Sequence, residues 1–260
     1  DEFTGFEKQS SMIYLPKKNL NKNEINPLLW ELGHISYFYD YHCLRYLIDD
    51  YQIMIPDSEI YNSFVTNRKT RFKFRDHSKK VIFHYYEYIY FTLNNYITNN
   101  ILNEKTTYLI LLSILHNHMH IESFLFSRKI IGFKKLITSK FKTIDINKDI
   151  EFIFINGGKF EQGTYEGENL LCFDNEKPRF STKINDFLVS NILVTEKLVE
   201  KFILGNGYKK EDYWCDNGWR WINENKITLP LYWKKMGDNL VIKNHKFHQI
   251  VIGNNPASHL

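Results

Sequence analysis

The sequence predicts a protein of two parts, an antiparallel helical bundle followed by a mixed α and β domain. The first part consists of long aromatic and aliphatic stretches, and Gly33 is the only glycine within residues 6–131. In the second part, short apolar runs are separated by Gly, Asn, Asp and Pro, a pattern typical of strands and turns. We therefore expect domains at 1–135 and 150–260, with a linker at 133–148.

The composition supports a globular protein, with 43% apolar and 25% charged residues among 260. The net charge of +4 is smaller than that of a dedicated nucleic-acid-binding module, and no apolar run reaches the about 18 residues of a membrane span. We therefore expect neither a nucleic-acid partner nor a membrane. The three cysteines form no CxxC pair, which argues against a disulfide framework and favours a reducing, cytoplasmic location.

Three helices are predicted in the first part. The first runs from Asn26 to about Asp50, with Asn26 as the N-cap and Pro27 at the first helical position. The others run from about residue 78 to 100 and from about 103 to 131. Side chains at spacings of three and four form one stripe of the first helix, which contains Trp30, His34, Phe38, Tyr41 and Arg45.

The sequence of the second part predicts short strands, turns and one clear helix. We expect residues 151–158 to form a strand that ends in a turn, and residues 159–163 to form its neighbour. Residues 174–178 have the composition of a turn. Residues 195–204 have helical spacing, and the Trp-rich stretch 212–221 has no clean period.

A histidine cluster in the third helix is the main chemical signal. His116 and His120 are four residues apart, so their side chains project from one helix face and can share a metal ion, while His118 points away. Two histidines that face a bundle core are costly unless paired or metal-bound. In helical bundles further ligands come from facing helices, and His34 is the best candidate. The alternative, an ordinary pair of surface histidines, stays open.

The spacing narrows the class of metal site. A zinc protease of the HExxH type is disfavoured, because Asn117 follows the first histidine where a glutamate is needed. Three neutral histidines leave open coordination positions, which suits a catalytic zinc ion or a non-haem iron that also binds substrate and dioxygen.

Two motifs resemble a known family. Residues 26–38 (NPLLWELGHISYF) and 116–122 (HNHMHIE) resemble the DinB-like helical domain of ergothioneine- and ovothiol-type sulfoxide synthases. The second part resembles the formylglycine-generating-enzyme-like domain of that family, which has a C-type-lectin-like fold, through residues 154–160 (FINGGKF) and 174–178 (DNEKP). The resemblance covers nearly the whole chain.

The resemblance implies an iron(II)-dependent oxygenase. His34, His116 and His120 would bind Fe(II), and Glu122 would orient one ligand imidazole, although it is equally consistent with a solvated helix residue. The substrates would be O2, a thiol such as cysteine or γ-glutamylcysteine, and histidine or hercynine. The product would be a sulfoxide with a new bond between sulfur and an imidazole carbon.

A basic stretch at residues 67–75 contains two further candidates. Arg68 or Arg71 would bind a substrate carboxylate in bidentate fashion, and a solvated loop is the alternative interpretation. The sequence departs from the family pattern at Met119, where bacterial relatives commonly have Gln. It also resembles a chain shortened at both ends, so we expect the family's tyrosine near the iron to lie beyond Leu260.

Two other functions are compatible with these residues. A DinB-type thiol transferase would use zinc or nickel without consuming oxygen. A degenerate, non-catalytic homologue would keep the fold and lose the chemistry, and Met119 favours it.

Overall fold

A computed structural model describes most of the chain, namely residues 25–55, 57–72, 77–131, 150–168, 171–244, 247–250 and 253–258. The chain divides into two compact units. The first comprises Asp1–Ile131 with Gln162–Phe180, and the second comprises Gly132–Glu161 with Ser181–Leu260. The segment at 162–180 therefore clusters with the helices rather than with the rest of the second part of the sequence. The predicted linker lies outside the described residues.

The first predicted helix is interrupted and shorter than expected. It comprises α1 (Leu28–Tyr39), a π-helical turn (Asp40–Leu44) and the short α2 (Arg45–Leu47). The prediction of a continuous helix to Asp50 was therefore wrong at its C-terminal end. In a longer helix the acidic residues at 49 and 50 would lie at the C-terminal end, where the helix dipole destabilises negative charge. Asp50 instead adopts a left-handed conformation with φ of 54°.

The predicted N-cap of α1 was also wrong. Pro27 occupies the N-cap position and no side chain caps the helix. The Asn26 side chain is used elsewhere, because its Oδ1 accepts a hydrogen bond from Arg71 Nη1 at 3.1 Å.

The next elements of the helical unit are the 3-10 turn Ser58–Tyr61, α3 (Arg68–Arg71), α4 (Lys79–Asn99) and α5 (Glu104–Ile131). The predictions for α4 and α5 are confirmed. Ser78 caps α4 through its hydroxyl, which accepts a hydrogen bond from the Val81 amide. Asn103 accepts a hydrogen bond from the Thr106 amide at the start of α5.

The core of the helical unit lies where α1 packs against α4 and α5. Large aromatic side chains dominate it, and the fully buried ones are Trp30, Tyr37, Tyr61 and Tyr85. A buried acid links two helices, because Tyr85 donates a hydrogen bond to Asp40 Oδ2 at 2.6 Å. The 162–180 segment is joined to α5 by a hydrogen bond from the Tyr108 hydroxyl to the Cys172 carbonyl at 3.1 Å.

Among the described residues, one helix is long and apolar enough to cross a membrane by length and composition. It is Glu104–Arg128 of α5, and 11% of its most apolar window is buried. This is weak evidence, since core helices of water-soluble proteins meet the same criteria. The helix also carries His116, His118 and His120, and ionisable side chains are costly inside a bilayer. The absence of a membrane span stays a prediction.

The second unit contains short strands. They are β1 (Phe152–Ile155), β2 (Gly158–Gln162), β3 (Phe180–Ile184), β4 (Phe187–Ser190), β5 (Trp233–Met236), β6 (Asn239–Asn244) and β7 (Phe247–Ile250). β1 pairs with β4, β2 pairs with β3, and β5, β6 and β7 form a three-stranded sheet in that order. In the first of these pairs Phe152 lies opposite Ser190.

The prediction that β1 and β2 are neighbours was wrong. Gly157 separates them and approaches the next connection closely, because a Cβ there would lie 2.5 Å from the Ile184 carbonyl oxygen. The Gly157 amide also donates a hydrogen bond to Asp186 Oδ1 at 2.7 Å. The chain therefore turns at Gly157, and each strand finds a different partner.

Two helices complete the second unit. α6 (Glu196–Leu204) confirms the helix predicted at residues 195–204; Thr195 is its N-cap and Gly205 its C-cap. α7 (Asp216–Asn225) was missed, because its N-cap Cys215 makes no side-chain hydrogen bond and the helix contains Gly218. All three cysteines are unpaired, which agrees with the expectation of no disulfide framework.

Two helical glycines allow a test of the packing in the helical unit. A Cβ on Gly33 would lie 2.1 Å from the Tyr61 ring, whereas one on Gly218 would meet nothing closer than 3.5 Å. We expect Gly33→Ala to lower the free energy of unfolding by about 1–3 kcal/mol through overpacking. The matched control Gly218→Ala should raise it by about 0.5–1 kcal/mol. Urea denaturation measures both, and a neutral Gly33→Ala would contradict the close packing of Tyr61.

Candidate metal centre

Three histidines converge where α1 and α5 pack together. His34 comes from α1, and His116 and His120 come from successive turns of α5. One potential ligand atom from each histidine lies within 4.8 Å of the other two. The Nε2 atoms of His116 and His120 are 3.2 Å apart. The structure therefore brings together the three residues that the sequence singled out as metal ligands.

The His34 ring is held in one orientation. Its Nδ1 lies 2.7 Å from the Tyr61 carbonyl oxygen, so Nδ1–H donates and Nε2 keeps its lone pair. The ring stacks on Trp30 with a centroid separation of 5.2 Å and an interplanar angle of 8°. The indole is itself anchored, because Trp30 Nε1 donates to the Ile60 carbonyl at 2.9 Å. Burial lowers the pKa of His34 to about 4, although the Tyr61 hydrogen bond opposes this shift.

The His120 ring is oriented by a carboxylate. Its Nδ1 lies 2.7 Å from Glu31 Oε1, and Glu31 is completely buried. A carboxylate in this position accepts a hydrogen bond from Nδ1–H and leaves the Nε2 lone pair available to a metal ion.

His116 has a more apolar environment. Its ring stacks on Phe38 with a centroid separation of 3.8 Å and an interplanar angle of 12°. Its Nδ1 is buried without a hydrogen-bond partner among the described residues. Burial lowers the pKa of His116 to about 3, and the neighbouring His120 and His34 contribute in the same direction.

This arrangement fits a divalent transition-metal ion. Metal-binding imidazoles are neutral, and the low pKa values of His34 and His116 show that burial favours this state. Two nitrogens about 2.1 Å from one ion are roughly 3.0–3.4 Å apart at coordination angles of 90–109°, and the observed separation of 3.2 Å lies in this range. Three histidines leave further coordination positions for substrate or dioxygen.

His118, Met119 and Glu122 of the histidine motif lie on the exposed side of α5. His118 and Glu122 are exposed, and Met119 is 50% exposed. Glu122, which the sequence suggested as the carboxylate that orients a ligand, is therefore not the carboxylate that contacts the cluster. Glu31 makes that contact.

Sequence reasoning missed Glu31. The available signal was its position three residues before His34, which places both side chains on one face of α1. The other missed contact, the Tyr61 carbonyl, has no sequence signal, because a backbone acceptor is defined only by the fold.

The two candidate arginines have different environments. Arg71 is half-buried, and its guanidinium lies 4.1 Å from the centre of the Trp30 ring. Three of its N–H groups donate to the Thr66 carbonyl, the Ser63 carbonyl and Asn26 Oδ1 at 3.0–3.1 Å. Arg68 is exposed on α3. The main role of Arg71 is therefore to hold the loop that precedes α3 against α1.

The three histidines of the cluster all come from helices. Comparison with known proteins finds a family match in a later part of the chain. Residues 139–250 match the family described as the sulfatase-modifying factor enzyme 1-like domain. The chain therefore carries a domain of this type, and helices that contain the histidines precede it.

Distant similarity to hercynine oxygenases accompanies this domain. The chain is 28% identical over 78 residues to the hercynine oxygenase of Mycolicibacterium thermoresistibile, across 30% of this chain and 18% of that protein. It is 27% identical over 85 residues to the enzyme of Mycolicibacterium smegmatis, across 33% and 20%. It is 26% identical over 78 residues to that of Mycobacterium tuberculosis, across 30% and 18%. The matches span about a fifth of the length of these curated relatives.

The buried imidazoles predict a pH-dependent stability of the metal-free protein. Their pKa values of about 4 (His34) and about 3 (His116) lie below the ordinary 6.5. Between pH 6.5 and about 4 the unfolded chain therefore binds protons that the folded chain does not, and the free energy of unfolding falls as the pH falls. Urea midpoints measured from pH 7.5 to 5 should show this decline.

Two variants serve as a matched pair for this measurement. We expect His116→Leu to reduce the decline of the urea midpoint, because it removes one of the two groups. The exposed His118→Gln should leave the decline unchanged. Equal pH profiles for His116→Leu and the wild type would contradict the buried, neutral state of His116.

Two alanine variants test whether Arg71 has a structural role that Arg68 lacks. Arg71→Ala should lower the free energy of unfolding by about 1–3 kcal/mol, because it removes three hydrogen bonds, to the Thr66 and Ser63 carbonyls and to Asn26 Oδ1. The exposed Arg68→Ala should change it by less than about 0.5 kcal/mol. Chemical denaturation of both variants provides the measurement, and equal effects would rule out the difference in role.

Proposed function

We propose that this chain is part of a non-haem iron(II), O2-dependent sulfoxide synthase. The reaction joins a thiol, cysteine or γ-glutamylcysteine, to the imidazole of histidine or hercynine. The observation that carries the proposal is the convergence of His34, His116 and His120 within 4.8 Å. The sulfatase-modifying-factor-type domain at residues 139–250 and the similarity to hercynine oxygenases support it.

The overall reaction is balanced by one molecule of O2. A thiol S–H and an imidazole C–H are both lost, and a bond forms between sulfur and carbon. One oxygen atom becomes the sulfoxide oxygen, and the other leaves as water with the two hydrogens. This is a four-electron oxidation of the two substrates, and the bound iron would supply the redox chemistry with O2.

The residues of this chain would prepare the site for that reaction. His34, His116 and His120 would hold the iron and leave positions open for the thiol and O2. The Tyr61 carbonyl and Glu31 hold the outer protons of His34 and His120, so both Nε2 atoms face the centre with free lone pairs. Trp30 and Phe38 cover two imidazole faces and exclude water from them.

Arg68 is the better of the two arginines to bind a substrate carboxylate. Its guanidinium is exposed, whereas Arg71 donates to three protein acceptors. An exposed guanidinium can present the paired donors that a carboxylate accepts.

The test uses the protein expressed from its complete reading frame. We expect anaerobic titration to show about one equivalent of bound Fe²⁺, because the three histidines form one centre. His34→Ala, His116→Ala and His120→Ala should abolish tight binding, and the exposed His118→Ala is the matched control. The iron-loaded protein with thiol, histidine or hercynine, and O2 should consume oxygen and form a sulfoxide detectable by mass spectrometry.

Two outcomes would replace this proposal. Metal-dependent thiol transfer without oxygen uptake would identify a thiol transferase instead. Metal binding well below one equivalent, with no turnover, would identify a non-catalytic homologue.

A further inference from the structure

A buried carboxylate beside the histidine cluster has an unusual environment. Glu31 is 0% exposed, and its Oε1 lies 2.7 Å from His120 Nδ1. Its second oxygen, Oε2, is buried with no hydrogen-bond partner among the described residues. Burying a carboxylate with half of its acceptor capacity unused is costly. Another role of Glu31 must therefore offset the free-energy cost of burying its carboxylate at this position.

Arg71 only partly compensates this charge. Arg71 attracts Glu31 electrostatically, but its guanidinium lies over the Trp30 ring and donates to Thr66, Ser63 and Asn26. A divalent cation held by His120 would be a second positive charge close to Glu31. The site therefore has an anion positioned for a metal ion that binds on the far side of the imidazole.

We propose that Glu31 is a positioning residue that orients His120 and increases its strength as a metal ligand. This inference rests on metal binding by the three histidines, as proposed above. By accepting a hydrogen bond from Nδ1–H, the carboxylate keeps the Nε2 lone pair of His120 directed at the centre. Its negative charge raises the electron-donating strength of the imidazole. Glu31 also lies one turn before His34, so α1 supplies both a ligand and the acceptor that orients a ligand from α5.

A merely structural role for Glu31 predicts a different pattern. If the hydrogen bond served only to join α1 to α5, its loss would weaken folding with or without metal. A positioning role predicts that the isosteric Glu31→Gln lowers metal affinity but leaves the metal-free protein as stable as the wild type or more stable. Glutamine can still accept the Nδ1 hydrogen bond, and it removes the buried charge.

The experiment measures the affinity of the protein for Co²⁺ alone, which requires neither substrate nor turnover. Co²⁺ binding is followed by its visible absorption in competition with a chelator, and urea midpoints of the metal-free proteins are measured in parallel. We expect about 10-fold weaker binding for Glu31→Gln and about 100-fold weaker binding for Glu31→Ala, the range for groups that support metal ligands. The exposed Glu122→Gln, on the helix that carries two ligands, is the matched control and should bind like the wild type.

The outcomes separate this inference from the proposed function. A wild type that binds Co²⁺, together with a Glu31→Gln variant that binds equally tightly, overturns the role of Glu31 and leaves the metal centre intact. A wild type that binds no Co²⁺ overturns the metal centre itself, and the role of Glu31 with it. Glu31→Gln could also destabilise the metal-free protein. If its unfolding equilibrium constant rises by as large a factor as its Co²⁺ affinity falls, Glu31 is a structural residue and the inference is overturned. If Glu31→Ala fails to fold, Glu31→Gln and the shorter carboxylate of Glu31→Asp carry the test, and normal Co²⁺ affinity in both overturns the inference.

Discussion

The packing of α1 against α5 is the contact on which the candidate metal centre depends, because it removes three imidazoles from water together. Desolvation penalises the charged form of an imidazole, and it lowers the pKa of His34 and His116 well below the ordinary value. The rings of these two histidines consequently stay neutral and keep lone pairs. The polar link across this contact is the pair of Glu31 and His120. The same packing that stabilises the helical unit therefore creates its only described three-histidine cluster.

Tyr61 connects this contact to the loop that precedes α3. Its carbonyl oxygen accepts a hydrogen bond from Nδ1–H of His34, and its ring occupies the space that a side chain at position 33 would fill. Its hydroxyl forms a hydrogen bond with His77 Nδ1 at 2.8 Å. One residue thus orients a candidate ligand, packs against the ligand's helix and joins the turn to the start of α4. Arg71 also stabilises this loop, because it donates to the Ser63 carbonyl and lies over the Trp30 ring.

The match to the sulfatase-modifying factor enzyme 1-like domain and the metal centre lie in different stretches of the chain. The matched domain covers residues 139–250, whereas the histidines belong to helices within residues 28–131. The structure adds that residues 162–180 cluster with those helices, in part through the bond from Tyr108 to Cys172. The boundary between compact units therefore does not follow the change in composition, because a segment from the second part of the sequence packs on the helical unit.

The sequence by itself determined the helical character of the first part, the bounds of α4 and α5, and the placement of His116 and His120 on one helix face. These features are local, since helix periodicity and an i,i+4 spacing are visible within a few residues. Only the tertiary structure decided which carboxylate reaches the cluster, where α1 ends, and which strands pair. Glu122 is near the histidines in sequence but exposed, whereas Glu31 is 89 residues from His120 and 2.7 Å away in space. Such contacts depend on how helices and strands pack, and residue spacing along one element carries no information about the element that faces it.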